Sequence, residues 1–202
     1  MVSCSFRRAW ALGALGALAW GAPALAGDGE ETEPPPLVDV AAAYYVPTDE
    51  NRAVNSVFVN AAIGVDLLPS IGFSAFGGVT LTYATGHIVQ WNDYFEDVRY
   101  ETEAAGVGPI FLLRWAPLRI AGVALAAEMV GGVVLYSNDF PAGGDIYNFT
   151  WRFGASLSYQ VDDDLMISAG ARWMHVSNGQ GMVPENPSYE GIGFPIGVTL
   201  TL

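Results

Sequence analysis

The chain is predicted to be all-β, an eight-stranded antiparallel transmembrane β-barrel, and three observations predict it. Apolar and small or polar residues alternate along about eight stretches separated by turn signals. Tyr and Trp gather near the ends of the apolar face, where membrane-interface girdles sit. Several stretches also exceed the roughly 9 to 11 residues that a tilted strand needs to cross a bilayer.

Strands are expected near 37–46, 54–68, 70–83, 104–116, 119–135, 147–160, 164–177 and 190–202. The second stretch sets Val57, Val59, Ala61, Ile63, Val65 and Leu67 against Asn60, Ala62, Gly64 and Asp66. Pro117 falls between the fourth and fifth stretches, where a tight turn belongs, and residues 140–145 read as a second turn. The sixth stretch alternates most clearly: Tyr147, Phe149, Trp151, Phe153, Ala155, Leu157 and Tyr159 form one face, and Asn148, Thr150, Arg152, Gly154, Ser156, Ser158 and Gln160 the other.

The seventh stretch places Leu165, Ile167, Ala169, Ala171, Trp173, His175 and Ser177 on one face and Arg172, Met174 and Val176 on the other. In the last, Ile192, Phe194, Ile196, Val198 and Leu200 oppose Gly191, Gly193, Pro195, Gly197 and Thr199. The small, polar side suits a narrow interior and the greasy side suits hydrocarbon. A soluble β-sandwich would share the period-2 pattern; strand length and the aromatic ends favour the barrel. Residues 84–103 and 178–189 are expected as longer loops at the end opposite the short turns.

Residues 1–26 read as a secretory signal peptide: Arg7 and Arg8, an apolar run from Ala9 to Trp20, and the small-residue site Ala24-Leu25-Ala26. Residues 27–36 form a polar leader, and 37–202 the barrel, placed in the outer membrane of a Gram-negative-type bacterium. Cys4, the only cysteine, leaves with the signal, which excludes disulfides and thiol chemistry from the mature part. Six arginines, no lysine and 21 carboxylates then leave a formal charge of −15. Nucleic-acid binding is excluded on that balance, because a phosphate backbone needs a basic footprint. His87 reads as a surface loop residue without the neighbours a metal site needs, and inward parity makes Glu128 the candidate partner of Arg172.

The chemistry-bearing segment runs from Arg172 to Gly181 and continues at Asn186-Pro187-Ser188-Tyr189-Glu190. His175 and Ser177 continue the outward row of the seventh strand, and Glu190 shares the outward face of the eighth. Three polar side chains at one end of two adjacent apolar faces are costly unless they satisfy one another. Mutual hydrogen bonding would do so, and the same arrangement serves nucleophilic ester hydrolysis. In it, His175 takes the Ser177 proton, Glu190 fixes the imidazole tautomer, and Asn178 or backbone N–H groups around Gly179 stabilise the oxyanion. Spacing alone favours the plainer reading, in which His175 and Ser177 are polar residues at the headgroup boundary.

The string His175-Val176-Ser177-Asn178, followed by Asn186-Pro187 and Glu190, resembles the C-terminal signature of the outer-membrane lipid A 3-O-deacylases, the PagL family. Tyr147-Asn148-Phe149 belongs to the same likeness, which is specific from about residue 147 onward. The resemblance implies a triad of His175, Ser177 and Glu190, with Asn178, Gly179 and Asn186 in support. It also implies hydrolysis of the ester-linked 3-hydroxyacyl chain of lipopolysaccharide in the outer leaflet, with no cofactor. Where that family has Ser-Asn-Ala-Gly, this chain has Ser177-Asn178-Gly179-Gln180-Gly181, so the oxyanion loop differs. A non-enzymatic barrel of the same fold and an outer-membrane phospholipase or esterase are the alternative functions. Homodimerisation is left open.

Overall fold

The computed structural model describes residues 34–91, 94, 96–179 and 187–202. The expected signal peptide, most of the leader, and Asn186 lie outside the described residues. Eight strands follow in order: β1 (Leu37–Pro47), β2 (Val54–Leu68), β3 (Phe73–Trp91), β4 (Asp97–Ile120), β5 (Val123–Phe140), β6 (Asp145–Gln160), β7 (Leu165–Ser177) and β8 (Tyr189–Thr201). Each pairs antiparallel with its sequence neighbours. β1 also pairs with β8, from Leu37 against Thr201 to Pro47 against Gly191, so the hydrogen bonding returns on itself.

Of the predicted eight-stranded antiparallel transmembrane β-barrel, the structure itself shows an eight-stranded antiparallel all-β sheet with ring-like hydrogen bonding, closed between β1 and β8; its strands are uneven. They run from 11 to 24 residues. The β2/β3, β4/β5 and β5/β6 ladders each shift register once. The long loop expected over residues 84–103 is mostly sheet: β3 reaches Trp91 and β4 starts at Asp97, with His87 paired to Glu101. His87 is therefore a strand residue, its Nε2 3.1 Å from the Glu50 carbonyl oxygen.

Pro117 does not make the β4–β5 turn. It lies inside β4, where the ladder skips between Trp115 and Leu118, and a bulge accommodates a residue that cannot donate a ladder hydrogen bond. The tight turn falls at Ala121 and Gly122, whose positive φ values of 50° and 81° suit a two-residue hairpin.

Alternation sorts the side chains as expected from period 2. Ile63, Val79, Leu81, Leu157, Phe194 and Ile196 on the outer wall each keep more than half of their surface exposed. A continuous apolar wall of this kind calls for apolar surroundings. Inside, Arg114 donates to Glu128 at 2.7 Å and to Asp39 at 2.8 Å, and Arg172 donates to the other Glu128 oxygen at 2.6 Å. The predicted Arg172–Glu128 pair is thus present. Gly154 stands between the two in register, paired with Glu128 on one side and Arg172 on the other, and its missing side chain leaves the gap the ion pair crosses.

Above this cluster Arg152 is fully buried, with its guanidinium carbon 4.5 Å from the Phe58 ring centroid and Nη1 3.3 Å from Asn60 Oδ1. Tyr45, Phe58, Ile88, Tyr136, Phe140, Met174, Val176 and Tyr189 belong to one buried cluster beneath the end where β7 finishes and β8 begins. That packed interior gives the site a fixed floor.

Candidate active site

β7 and β8 bring the chemistry-bearing residues together through register. His175 stands opposite Glu190 and Val176 opposite Tyr189. Since β8 begins at Tyr189, Glu190 has the same outward parity as His175. His175 Nδ1 lies 3.1 Å from Glu190 Oε1, with the side chains 30% and 45% exposed. Both side chains are therefore partly exposed on the outer face. The Glu190 main chain is tied from the other side by Thr48, whose N–H donates to the Glu190 carbonyl oxygen at 3.2 Å.

On the β6 side, His175 is opposite Trp151 and Ser177 is opposite Phe149. The imidazole stacks on Trp173 at 5.9 Å and 24°, Trp173 on Phe153 at 6.3 Å, and Phe153 on Trp151 at 6.2 Å. These rings follow directly from outward parity in two paired strands. They give His175 an apolar platform that restricts its tilt.

Ser177 is half-buried, at the end of β7 in the same outward row as His175. Among the described residues its hydroxyl makes no hydrogen bond to His175, so the structure joins His175 to Glu190 and places Ser177 next along the row. The Asn178 side chain goes the other way: it is fully buried, within the reach of Gly144 in the β5–β6 turn. Gly179 follows with φ 82°, a left-handed conformation that favours glycine and turns the chain sharply after the strand.

Residues 59–199 match the family described as Lipid A 3-O-deacylase (PagL). The chain belongs to this family. Among solved structures, that of the outer membrane enzyme PagL is similar at 19% identity and a TM-score of 0.51, over 81% of this chain and 99% of that one. This likeness shows the PagL-like fold. The outer membrane protease OmpT from Escherichia coli, at 11% identity and TM-score 0.40, covers 85% of this chain and 98% of its own. The outer membrane protein AlkL in lipid bilayers, at 11% and 0.36, covers 88% and 94%. No curated protein matches the chain.

Two neighbours of the His175–Glu190 pair escape a motif reading. The ring stack under His175 is one, although its members were visible as outward aromatics of β6 and β7. Arg52 is the other: from a 3₁₀ turn at Glu50–Arg52, its Nη1 donates to the Ser188 carbonyl oxygen at 2.9 Å and to Ser188 Oγ at 2.7 Å. Its only sequence signal is scarcity of cations, since the chain has eight in all and two precede residue 9.

Proposed function

We propose that this chain is a serine-type lipid A 3-O-deacylase of the Gram-negative outer membrane. In this reading it cuts the ester-linked 3-hydroxyacyl chain of lipopolysaccharide in the outer leaflet. The observation that carries the reading is the His175–Glu190 hydrogen bond on an outward, apolar face, with Ser177 next in the row, in a chain of the PagL family. The exposed apolar wall supports a membrane setting, and an outward site meets an amphiphile without extracting it from the bilayer.

Glu190 accepts from Nδ1–H and so keeps the Nε2 lone pair available, the tautomer a general base needs. As the Ser177 hydroxyl turns toward His175, Nε2 takes its proton while Oγ attacks the ester carbonyl carbon. Collapse of the tetrahedral intermediate expels the sugar alkoxide, which receives that proton from the imidazolium. Water, deprotonated by His175, then releases the fatty acid and restores Ser177. Oxyanion stabilisation is assigned to the backbone N–H groups of Asn178 and Gly179, where the chain turns after β7. The buried Asn178 side chain holds that turn from inside, and Asn186 is assigned a supporting role. No step calls for a cofactor.

Mass spectrometry of lipid A from membranes containing the wild-type chain, Ser177→Ala or His175→Ala tests the reading. Loss of one 3-hydroxyacyl group in wild type alone is expected, with each variant slower by at least about 10³-fold. Unchanged lipid A in all three, with the protein folded and inserted, would overturn the assignment. Release of fatty acid from glycerophospholipid instead would make the chain a phospholipase.

A further inference from the structure

The described end of the sheet that carries His175 is strongly acidic, with Asp49, Glu50, Asp97, Glu101, Glu103, Asp139, Asp145 and Glu190. An anionic amphiphile approaching it meets repulsion unless a cation receives it. Of the six arginines beyond residue 33, Arg114, Arg152 and Arg172 are buried in the interior, and Arg119 lies at the opposite end, near the β4–β5 turn. Arg99 is already paired with Glu101 at 2.7 Å. Arg52 remains: among the described residues it has no carboxylate partner, and both of its hydrogen bonds go through Nη1 to Ser188.

Register places this cation close to the chemistry. The β7/β8 pairing runs His175 to Glu190 and ends with Val176 against Tyr189, so that Ser177 is the next residue of β7 and Ser188 the residue just before β8. Val176 and Tyr189, the last pair of that ladder, are opposite residues with Cβ atoms only about 5 Å apart, and Ser177 and Ser188 are their chain neighbours. The guanidinium bonded to Ser188 therefore sits one residue-width from the Ser177 row, on the far side from the aromatic patch. The acyl chain would lie over Trp151, Phe153 and Trp173, and the polar headgroup toward Arg52.

Resting on the deacylase reading, we propose that Arg52 is a specificity residue that takes a phosphate on the substrate's sugar headgroup, close to the ester that is cut. The substrate class is then a phosphorylated glycolipid. Arginine suits the role because its planar fork offers several donors to phosphate oxygens, and here a single nitrogen makes both bonds to Ser188.

The test uses full-length protein in detergent with Ser177→Ala as background, so that binding is measured without turnover. Fluorescence of Trp151 and Trp173 reports titration with phosphorylated lipid A and with lipid A lacking the phosphate of the proximal sugar. Arg52→Ala is expected to weaken binding of the phosphorylated lipid by about tenfold or more, and of the other by no more than about twofold. Arg52→Lys recovers part of the loss. Ser188→Ala, which removes the hydroxyl bond but keeps the carbonyl bond and the cation, retains the phosphate preference. Equal losses on both lipids, or a Ser188→Ala variant that reproduces Arg52→Ala, would overturn the proposal. Hydrolysis by the wild-type chain is followed in parallel: cleavage of neither lipid defeats the deacylase reading, while the binding comparison still decides the role of Arg52.

Discussion

Two carboxylates in this molecule each hold a basic partner, and their surroundings set them apart. Glu128 lies in the interior with a side chain 1% exposed, and both of its oxygens are occupied by Arg114 and Arg172. Glu190 sits on the outer face, 45% exposed, with one bond to a half-open His175. The first arrangement is complete and closed to solvent, so it holds structure. The second retains bonding capacity at the surface, which is what a proton-transfer site requires.

Substitutions at the two sites should therefore separate turnover from stability. Glu190→Gln is expected to lower kcat by about 10² to 10⁴-fold with little change in KM, because the amide can stabilise the wrong tautomer. Urea unfolding of the same variant should superimpose on wild type. Glu128→Ala inverts the pattern: it leaves the buried Arg172 without a carboxylate and Arg114 with Asp39 alone, and should cost about 3–5 kcal/mol in unfolding free energy. Activity per folded molecule should survive. A Glu190→Gln variant that unfolds early, or a Glu128→Ala variant that is folded yet inactive, would break the distinction.

The smallest effect is expected under the imidazole. Trp173→Leu keeps an apolar contact but removes the stacked ring, worth about 0.5–1.5 kcal/mol, and should slow turnover a few-fold. Trp173→Phe should recover most of it. A loss as large as that of Glu190→Gln would mean that the ring, rather than the carboxylate, sets the histidine's orientation.

Legibility in the sequence followed the apolar pattern. β6 was expected at 147–160 and spans Asp145–Gln160, because Tyr147 to Tyr159 alternate without a break. The β3–β4 extension was read as loop because its acidic residues, from Glu96 to Glu103, show no greasy face. Its pairing is real but lies where strand formation needs no apolar side. Pro117 signalled a turn because a proline interrupts a ladder, and one sequence cannot tell a turn from a bulge. His175 and Glu190 were placed on one face by parity, with the last stretch expected from residue 190, one residue after β8 begins at Tyr189. The Arg52–Ser188 contact spans 136 residues and has no periodicity to announce it.

The seam between β1 and β8 has a kinetic meaning. Asp39 is in β1 and Thr199 in β8, 160 residues apart, yet Thr199 Oγ1 donates to Asp39 Oδ2 at 2.8 Å and Arg114 donates to both. Until the first and last strands meet, Arg114 has Glu128 but neither of these partners. Ring closure and full pairing of Arg114 are thus coupled, and an assembly stalled before closure would carry an under-compensated cation in an open groove. Such long-range pairing is slow to form. The last step of assembly is then a latch that engages only when the two ends of the sheet are in correct register.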